Sequence, residues 1–273
     1  MLTYPEFDPV IFSLPLGSFQ FQLRWYSLMY VIGLVYAYIF FRRSSTSGRL
    51  KMSHAQIENI MLYIIVGMIL GARLTYVLVY NLPHYLNNPS EIIAVWKGGL
   101  SFHGGFIGVC LGCLLFARKN GIPYFNIMDH AAAAVPLGLG MGRLGNFINS
   151  ELWGRVTDAP VGMIFPNGGP LPRHPSQLYE SFFEGFMIFL ILNFLIRRRP
   201  KEGVISGLFV FLYAFFRFFI EFFREPDEQL GLVAGPFSMG QVLCVLMMIF
   251  GAGLIAWSMN RKDGRVIASG SSA

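Results

Sequence analysis

Gly142-Arg143-Leu144-Gly145-Asn146-Phe147-Ile148-Asn149-Ser150-Glu151-Leu152-Trp153-Gly154 decides how the chain is read. It follows Ala131–Met141, an apolar run rich in alanine and glycine that reads as a membrane-spanning helix. An arginine, two asparagines and a glutamate therefore fall where hydrocarbon gives way to water. An arginine at membrane depth costs about 3 kcal/mol on insertion scales, so it faces a partner or a polar cavity. Arg143 is a functional-site candidate on that ground alone.

Composition agrees with a membrane setting. Of 273 residues 54% are hydrophobic and only 13% charged, against roughly a quarter charged in soluble domains. Cys110, Cys113 and Cys244 lie inside apolar runs, which indicates neither a disulfide framework nor a zinc site. Cys110 and Cys113 read as small packing residues. No basic residue precedes Arg24, so the positive start of a cleavable signal peptide is missing. Residues 1–24, with alternating Phe and Leu and three prolines, read as a segment on the outer membrane surface.

A span needs about 20 mostly apolar residues, and seven stretches qualify: Trp25–Phe41, Ile57–Val79, Leu100–Phe116, Ile127–Leu144, Leu178–Ile196, Val204–Phe223 and Met239–Trp257. The expected fold is an all-α polytopic membrane protein, a single domain of about seven transmembrane helices. The loops after the first, third, fifth and seventh spans hold Arg42, Arg43, Arg49, Lys51, Arg118, Lys119, Arg197, Arg198, Arg199, Lys201, Arg261, Lys262 and Arg265. The opposite side holds Arg24, Lys97, Arg155, Arg173 and Arg224. The positive-inside rule then puts the N-terminus outside and the C-terminus in the cytoplasm. The net charge of +6 is thereby topological, and no nucleic-acid partner is needed. Residues 145–177 are expected to form a small extracytoplasmic cap, and residues 266–273 a disordered tail. No internal repeat supports the inverted symmetry common in transporters.

Chemistry-bearing residues gather at the outer ends of the spans. Ser101-Phe102-His103-Gly104-Gly105-Phe106-Ile107-Gly108 opens the third span. A rim histidine accepts a proton near neutral pH, and the glycines clear space for a ligand or a neighbouring helix. The alternative is a rim histidine above a glycine packing face. Tyr213, Arg217, Glu221 and Arg224 fall within an arc of about 80° on one helical face. Arg217 and Glu221, four apart, can pair, so a salt bridge that fixes packing is the plainer reading of those two. Arg73 sits within the second span. Glu180 and Glu184 share a face and can counter the arginines. Glu58 and Asp129 lie near cytoplasmic ends, where carboxylates reach water. No metal-ligand spacing, phosphate loop or dinucleotide fingerprint is present. Arginine forks suit phosphate, and phosphate amid apolar surroundings points to a phospholipid headgroup.

At these residues the sequence resembles the prolipoprotein diacylglyceryl transferases of bacterial inner membranes. Four blocks carry the likeness: His103–Gly108, Gly142–Gly154, His174-Pro175-Ser176-Gln177-Leu178-Tyr179-Glu180, and Arg217–Pro226. Ser150 departs from the family, which usually has glycine there. The resemblance implies transfer of the diacylglyceryl group of phosphatidylglycerol to the lipobox cysteine of a preprolipoprotein. A thioether forms and glycerol 1-phosphate leaves, with no metal or other cofactor.

The resemblance also implies roles. His103 is expected to accept the thiol proton, because the thiolate is the nucleophile. Arg143 and Arg217 are expected to bind the phosphate and stabilise the charge it gathers. Tyr26, Asn146, Glu151, Gly154, Tyr213 and Glu221 are expected to line the same site. Asn146 and Tyr213 would donate to the headgroup, Glu151 and Glu221 would orient the arginines, and Gly154 would allow close backbone approach. A competing class is an anion transporter, which predicts polar residues down to the cytoplasmic side. Another is a structural subunit, which leaves the His103 and Gly142 blocks without a purpose.

Overall fold

The computed structural model of the chain describes residues 2–16, 19–225, 232–234 and 237–261. The expected tail, together with Pro226, Lys262 and Arg265, lies outside the described residues. The chain begins with an antiparallel hairpin, β1 (Val10–Leu16) and β2 (Phe19–Arg24), in which Ser13 faces Gln22. Helix α1 (Trp25–Thr46) follows directly, then α2 (His54–Thr75), which runs on into a π-helical turn at Tyr76–Tyr80. A short α3 (Leu82–Asn87) and two 3-10 turns lead to α4 (Phe102–Asn120) and α5 (Tyr124–Ile148). After the cap segment, α6 (Ser176–Glu180), a π-helical stretch (Ser181–Met187) and α7 (Ile188–Ile196) form one continuous rod. Helix α8 (Val204–Ile220) ends in a 3-10 turn at Glu221–Phe223. A two-stranded ribbon, β3 (Leu232–Ala234) and β4 (Phe237–Ser238), precedes α9 (Met239–Asn260).

The protein is a multi-pass membrane protein. Among the described residues six helical rods are long and apolar enough to span a bilayer. Their large apolar side chains point outward, as with Leu62, Val66 and Leu70 on α2 and Leu246, Ile249 and Phe250 on α9. That pattern is inverted relative to a soluble core and suits a lipid solvent. The seventh expected span lies within α5, which is 25 residues long but less apolar because it carries Asp129, His130 and Arg143. Ala131–Ala134 of α5 are buried. A helix surrounded by other helices needs small residues for close approach, not large ones for lipid.

The chain divides into two compact units, Phe40–Met128 and Met1–Ile39 with Asp129–Ala273. The first is organised by a glycine crossing of α2 and α4. A Cβ added to Gly71 would stand 2.8 Å from Gly108 Cα, and one added to Gly112 would stand 2.6 Å from Tyr63 O. The glycines after His103 thus serve a neighbouring helix. Ser101 caps α4 by accepting from Gly104 N–H, and its own N–H donates to Ala72 O at 3.0 Å. Arg73 is buried and spends its guanidinium on backbone carbonyls: Ile92 O at 2.8 Å, Glu91 O and Gly98 O at 2.6 Å, and Gly99 O at 3.0 Å. This in-membrane arginine is a clamp on the segment that leads into α4.

In the second unit Asp129 corrects its expectation. It is buried, and accepts from Gly203 N–H at 2.7 Å, Ser206 N–H at 2.8 Å and Ser206 Oγ at 2.6 Å. It caps α8 from a distant part of the chain, supplying an acceptor to otherwise orphaned helix N–H groups. The N-terminal segment is anchored at Tyr4. Tyr4 is buried against Phe147 and Phe165 and donates to Phe147 O at 2.7 Å, satisfying the last turn of α5.

Candidate functional site

Glu180 ends α6 with its side chain 1% exposed, and one nitrogen from each of three arginines lies on its carboxylate. Arg143 Nε of α5 lies 2.8 Å from Oε2. Arg217 Nη1 of α8 donates to Oε2 at 3.1 Å, and Arg224 Nη1 donates to Oε1 at 2.7 Å. The three arginine side chains are 26%, 18% and 17% exposed. Each therefore meets the buried carboxylate while its side chain stays partly exposed. Arg143 Nη2 and Arg224 Nη2 have no partner among the described residues.

Two further carboxylates complete the cluster. Glu184 Oε1 is 3.5 Å from Arg217 Nη1, and Glu221 Oε2 is 3.4 Å from both Arg217 Nη2 and Arg224 Nε. These are Coulombic contacts beyond ordinary hydrogen-bond length. Glu184 Oε1, Glu221 Oε2 and Arg224 Nε are accordingly buried without a hydrogen bond. Glu221 is fixed at its other oxygen, which accepts from Ser238 Oγ at 3.1 Å. Ser238 also caps α9, in a reciprocal capping box with Gln241, so the start of that helix is tied to the cluster. Tyr213 lies within electrostatic reach of Glu184, Arg217, Arg143 and Glu180.

Helix packing sets the geometry. Gly140, one turn before Arg143, meets Gly185 of the π-helical stretch. A Cβ on Gly185 would stand 2.8 Å from Gly140 N and closer still to Gly140 Cα. Ser181 Oγ donates to Gly140 O at 2.9 Å across the same crossing. The π-helical widening admits this approach, and such bulges often mark functional positions. Gly142 is buried, yet a Cβ there would meet nothing within 4 Å. Room therefore remains beside Arg143.

The end of α5 forms a second arm. Asn146 Oδ1 lies 3.5 Å from Arg143 Nη1, and Asn146 Nδ2 donates to Glu151 Oε1 at 2.8 Å. Asn149 Nδ2 donates to the same oxygen at 3.1 Å. Glu151 makes no ion pair among the described residues and reaches Arg143 through Asn146, one of whose two amide N–H donors is thereby engaged. The turn that presents Glu151 is strained, with Ser150 at φ 54° and Leu152 at φ 58°. It is held by buried side chains of the next block: Gln177 Nε2 donates to Glu151 O at 2.7 Å, and Ser176 Oγ to Leu152 O at 3.1 Å. Tyr26 packs over Gly145, where a Cβ would stand 2.9 Å from its ring.

Gly154 N–H donates to His174 O at 2.9 Å, and a Cβ there would lie 3.0 Å from that oxygen and closer to Phe223 O. Close backbone approach is thus what the glycine permits. His174 packs edge-on against Tyr179 and Phe223, and burial pushes its imidazole below its ordinary value. His103 belongs to the Phe40–Met128 unit. Its imidazole, in the first turn of α4, is exposed and makes no hydrogen bond among the described residues. No group of three or more His, Cys, Asp or Glu among the described residues is placed to hold a metal ion.

Sequence reasoning underweighted Glu180, the one carboxylate among the described residues common to all three arginines, and left Ser176, Gln177 and Ser238 without roles. A signal existed for the first. Arginines inside spans require a counter-charge or backbone carbonyls, and the block His174–Glu180 ends in a carboxylate.

These features define a multi-pass membrane protein with a half-buried arginine site suited to an anionic group. The family model described as prolipoprotein diacylglyceryl transferase matches residues 9–257. Similar proteins named phosphatidylglycerol–prolipoprotein diacylglyceryl transferase come from several bacteria. That of Geobacter sulfurreducens is 49% identical over 96% of this chain and 100% of its own length. That of Photobacterium profundum is 48% identical over 94% and 95%, and that of Pseudomonas aeruginosa PAO1 48% over 96% and 97%. The chain belongs to the prolipoprotein diacylglyceryl transferase family.

Proposed function

We propose that the cluster around Glu180 is where this chain performs its family's reaction, transfer of the diacylglyceryl group of phosphatidylglycerol to the thiol of a prolipoprotein. The lipobox cysteine of a signal peptide is the acceptor. Its S–H proton passes to a base, a sulfur–carbon bond forms at the glyceryl carbon bearing phosphate, and the carbon–oxygen bond breaks. Glycerol 1-phosphate leaves with the bonding electrons. Arg143 and Arg217 hold the phosphate and neutralise the charge that gathers on it, and Arg224 joins them. Glu221 orients Arg217 and Arg224, while Glu151 orients Arg143 through Asn146. Tyr213 donates to the headgroup, Tyr26 and Gly154 shape the site, and His103 is the proton acceptor on chemical grounds. The chain works in the bacterial inner membrane with its N-terminus outside and its C-terminus cytoplasmic, so the arginines face the outer leaflet.

One observation carries this reading: three guanidinium groups converge on one buried carboxylate while terminal nitrogens of two of them have no partner among the described residues. Forks held in that way suit a phosphate diester better than a transported ion, which needs a weaker, multi-site path. The test is transfer of labelled diacylglyceryl from phosphatidylglycerol to a lipobox peptide by purified protein, beside Arg143→Ala and His103→Gln. Wild-type transfer with loss in both folded variants supports the assignment. Loss in Arg143→Ala alone removes His103 as base, and no thioether product from wild type removes the reading.

A further inference from the structure

We infer that Glu180 is a positioning residue for this reaction, a counter-charge that gathers three arginines into one phosphate clamp without touching substrate itself. The inference rests on the reading of the cluster as a phosphate site. Three features on three elements carry it. First, the carboxylate is buried behind the guanidinium groups, whereas the arginines retain exposure. Second, it takes one nitrogen from each arginine and uses both oxygens, so no arginine spends two nitrogens on it in a hydrogen bond among the described residues. Third, no other carboxylate among the described residues reaches all three, since Glu184 pairs with Arg217 alone and Glu221 with Arg217 and Arg224. Arg143 depends on Glu180 for its only ion pair among the described residues.

Charge balance gives the inference a signature that simple scaffolding lacks. Three arginines face Glu180, Glu184 and Glu221, so the cluster holds equal numbers of basic and acidic groups before phosphate enters. Removing the Glu180 charge while keeping its shape leaves an uncompensated cation. Anions then bind more tightly, but to forks that mutual repulsion has spread. Glu180→Gln is accordingly expected to lower kcat about 100-fold, as a displacement near 1 Å does for oriented groups. It should also make inorganic phosphate a better competitive inhibitor by on the order of tenfold.

The experiment measures kcat, KM for phosphatidylglycerol and the inhibition constant for inorganic phosphate in wild type, Glu180→Gln, Glu180→Asp and Arg143→Ala. Lowered kcat with tighter phosphate inhibition in Glu180→Gln supports the inference. Unchanged kcat, or lowered kcat with unchanged phosphate inhibition, overturns it. If Glu180→Gln does not fold, Glu180→Asp decides. It keeps the charge but shortens the reach by one methylene, so kcat should fall at least tenfold while phosphate inhibition stays at the wild-type value. Wild-type kcat in Glu180→Asp overturns the inference. Arg143→Ala separates the underlying reading: if it leaves phosphate inhibition unchanged, the cluster is not the phosphate site and the assignment in the preceding subsection falls first.

Discussion

Gly185→Ala adds one methyl group to the crossing that brings Arg143 to Glu180. In an unobstructed helix this change is favourable by up to about 1 kcal/mol, since alanine is the better helix former. Here the new Cβ would stand 2.8 Å from Gly140 N and nearer to Gly140 Cα, against 3.4 Å where ordinary contact begins. Relief requires a separation of at least 0.6 Å from the nitrogen and about 1 Å from Cα. Both atoms are backbone, so no side chain can rotate away. Gly140 is three residues before Arg143 and Gly185 five after Glu180, so the separation falls on the ion pair itself. An ion pair at 2.8 Å opened by about 1 Å loses its close contact. Overpacking of this kind costs about 1–3 kcal/mol, which outweighs the propensity gain. Misplacement near 1 Å is worth about 100-fold in rate. The measurements are thermal unfolding in detergent and single-turnover transfer to a lipobox peptide. Gly253→Ala is the control, because a Cβ there meets nothing within 4 Å, and it should be neutral or mildly stabilising. If Gly185→Ala unfolds no earlier than Gly253→Ala and transfers at the wild-type rate, the crossing does not set the site.

Ser150→Gly should raise stability by about 1 kcal/mol, visible as a higher unfolding temperature: the φ of 54° suits glycine, and the buried Ser150 Oγ has no hydrogen bond. Asp129→Ala should cost about 2 kcal/mol by removing the cap of α8, and Asp129→Asn less, because the amide keeps one acceptor oxygen; equal effects would show that charge alone matters. His174 has its imidazole held below the ordinary value by burial, so its neutral form is favoured in the folded state. The sign follows: this contribution is fully present above the unfolded value of about 6.5 and is lost as pH falls through the native value. His174→Gln should flatten unfolding temperature against pH below about 6.5, and an unchanged slope would assign that dependence to other groups.

The spans were legible because lipid solvation leaves a direct mark on composition, a run of about 20 apolar residues. α5 carried the weakest such mark for the reason that makes it central: its alanines and glycines serve helix contact, and its polar residues have partners. Two local signals were passed over, the capping boxes of Ser53 with Gln56 before α2 and of Ser238 with Gln241 before α9. What sequence could not supply was partner identity across distance. Asp129 near a helix start looked free to reach water, yet its partners are 74 and 77 residues away.

Arg73 and Arg143 make the limit concrete. Both lie within spans, both follow a glycine closely, and the cost of an unpartnered cation in lipid is the same for each. That cost says only that each must be satisfied. Arg73 is satisfied by backbone carbonyls from a segment 18 to 26 residues further on, which takes four of its five N–H donors and makes it structural. Arg143 has one ion-pair contact with a carboxylate 37 residues away and a long contact to Asn146, and keeps a terminal nitrogen without a partner among the described residues. The distinction between a clamp and a site is therefore one of remaining donor capacity. Backbone carbonyls satisfy a guanidinium without neutralising it, but they leave no fork to offer. A single buried carboxylate shared among three arginines neutralises part of their charge and leaves terminal nitrogens of two of them without a partner among the described residues. Only the second arrangement prepares a membrane protein to receive a phosphate whose charge grows as the reaction proceeds.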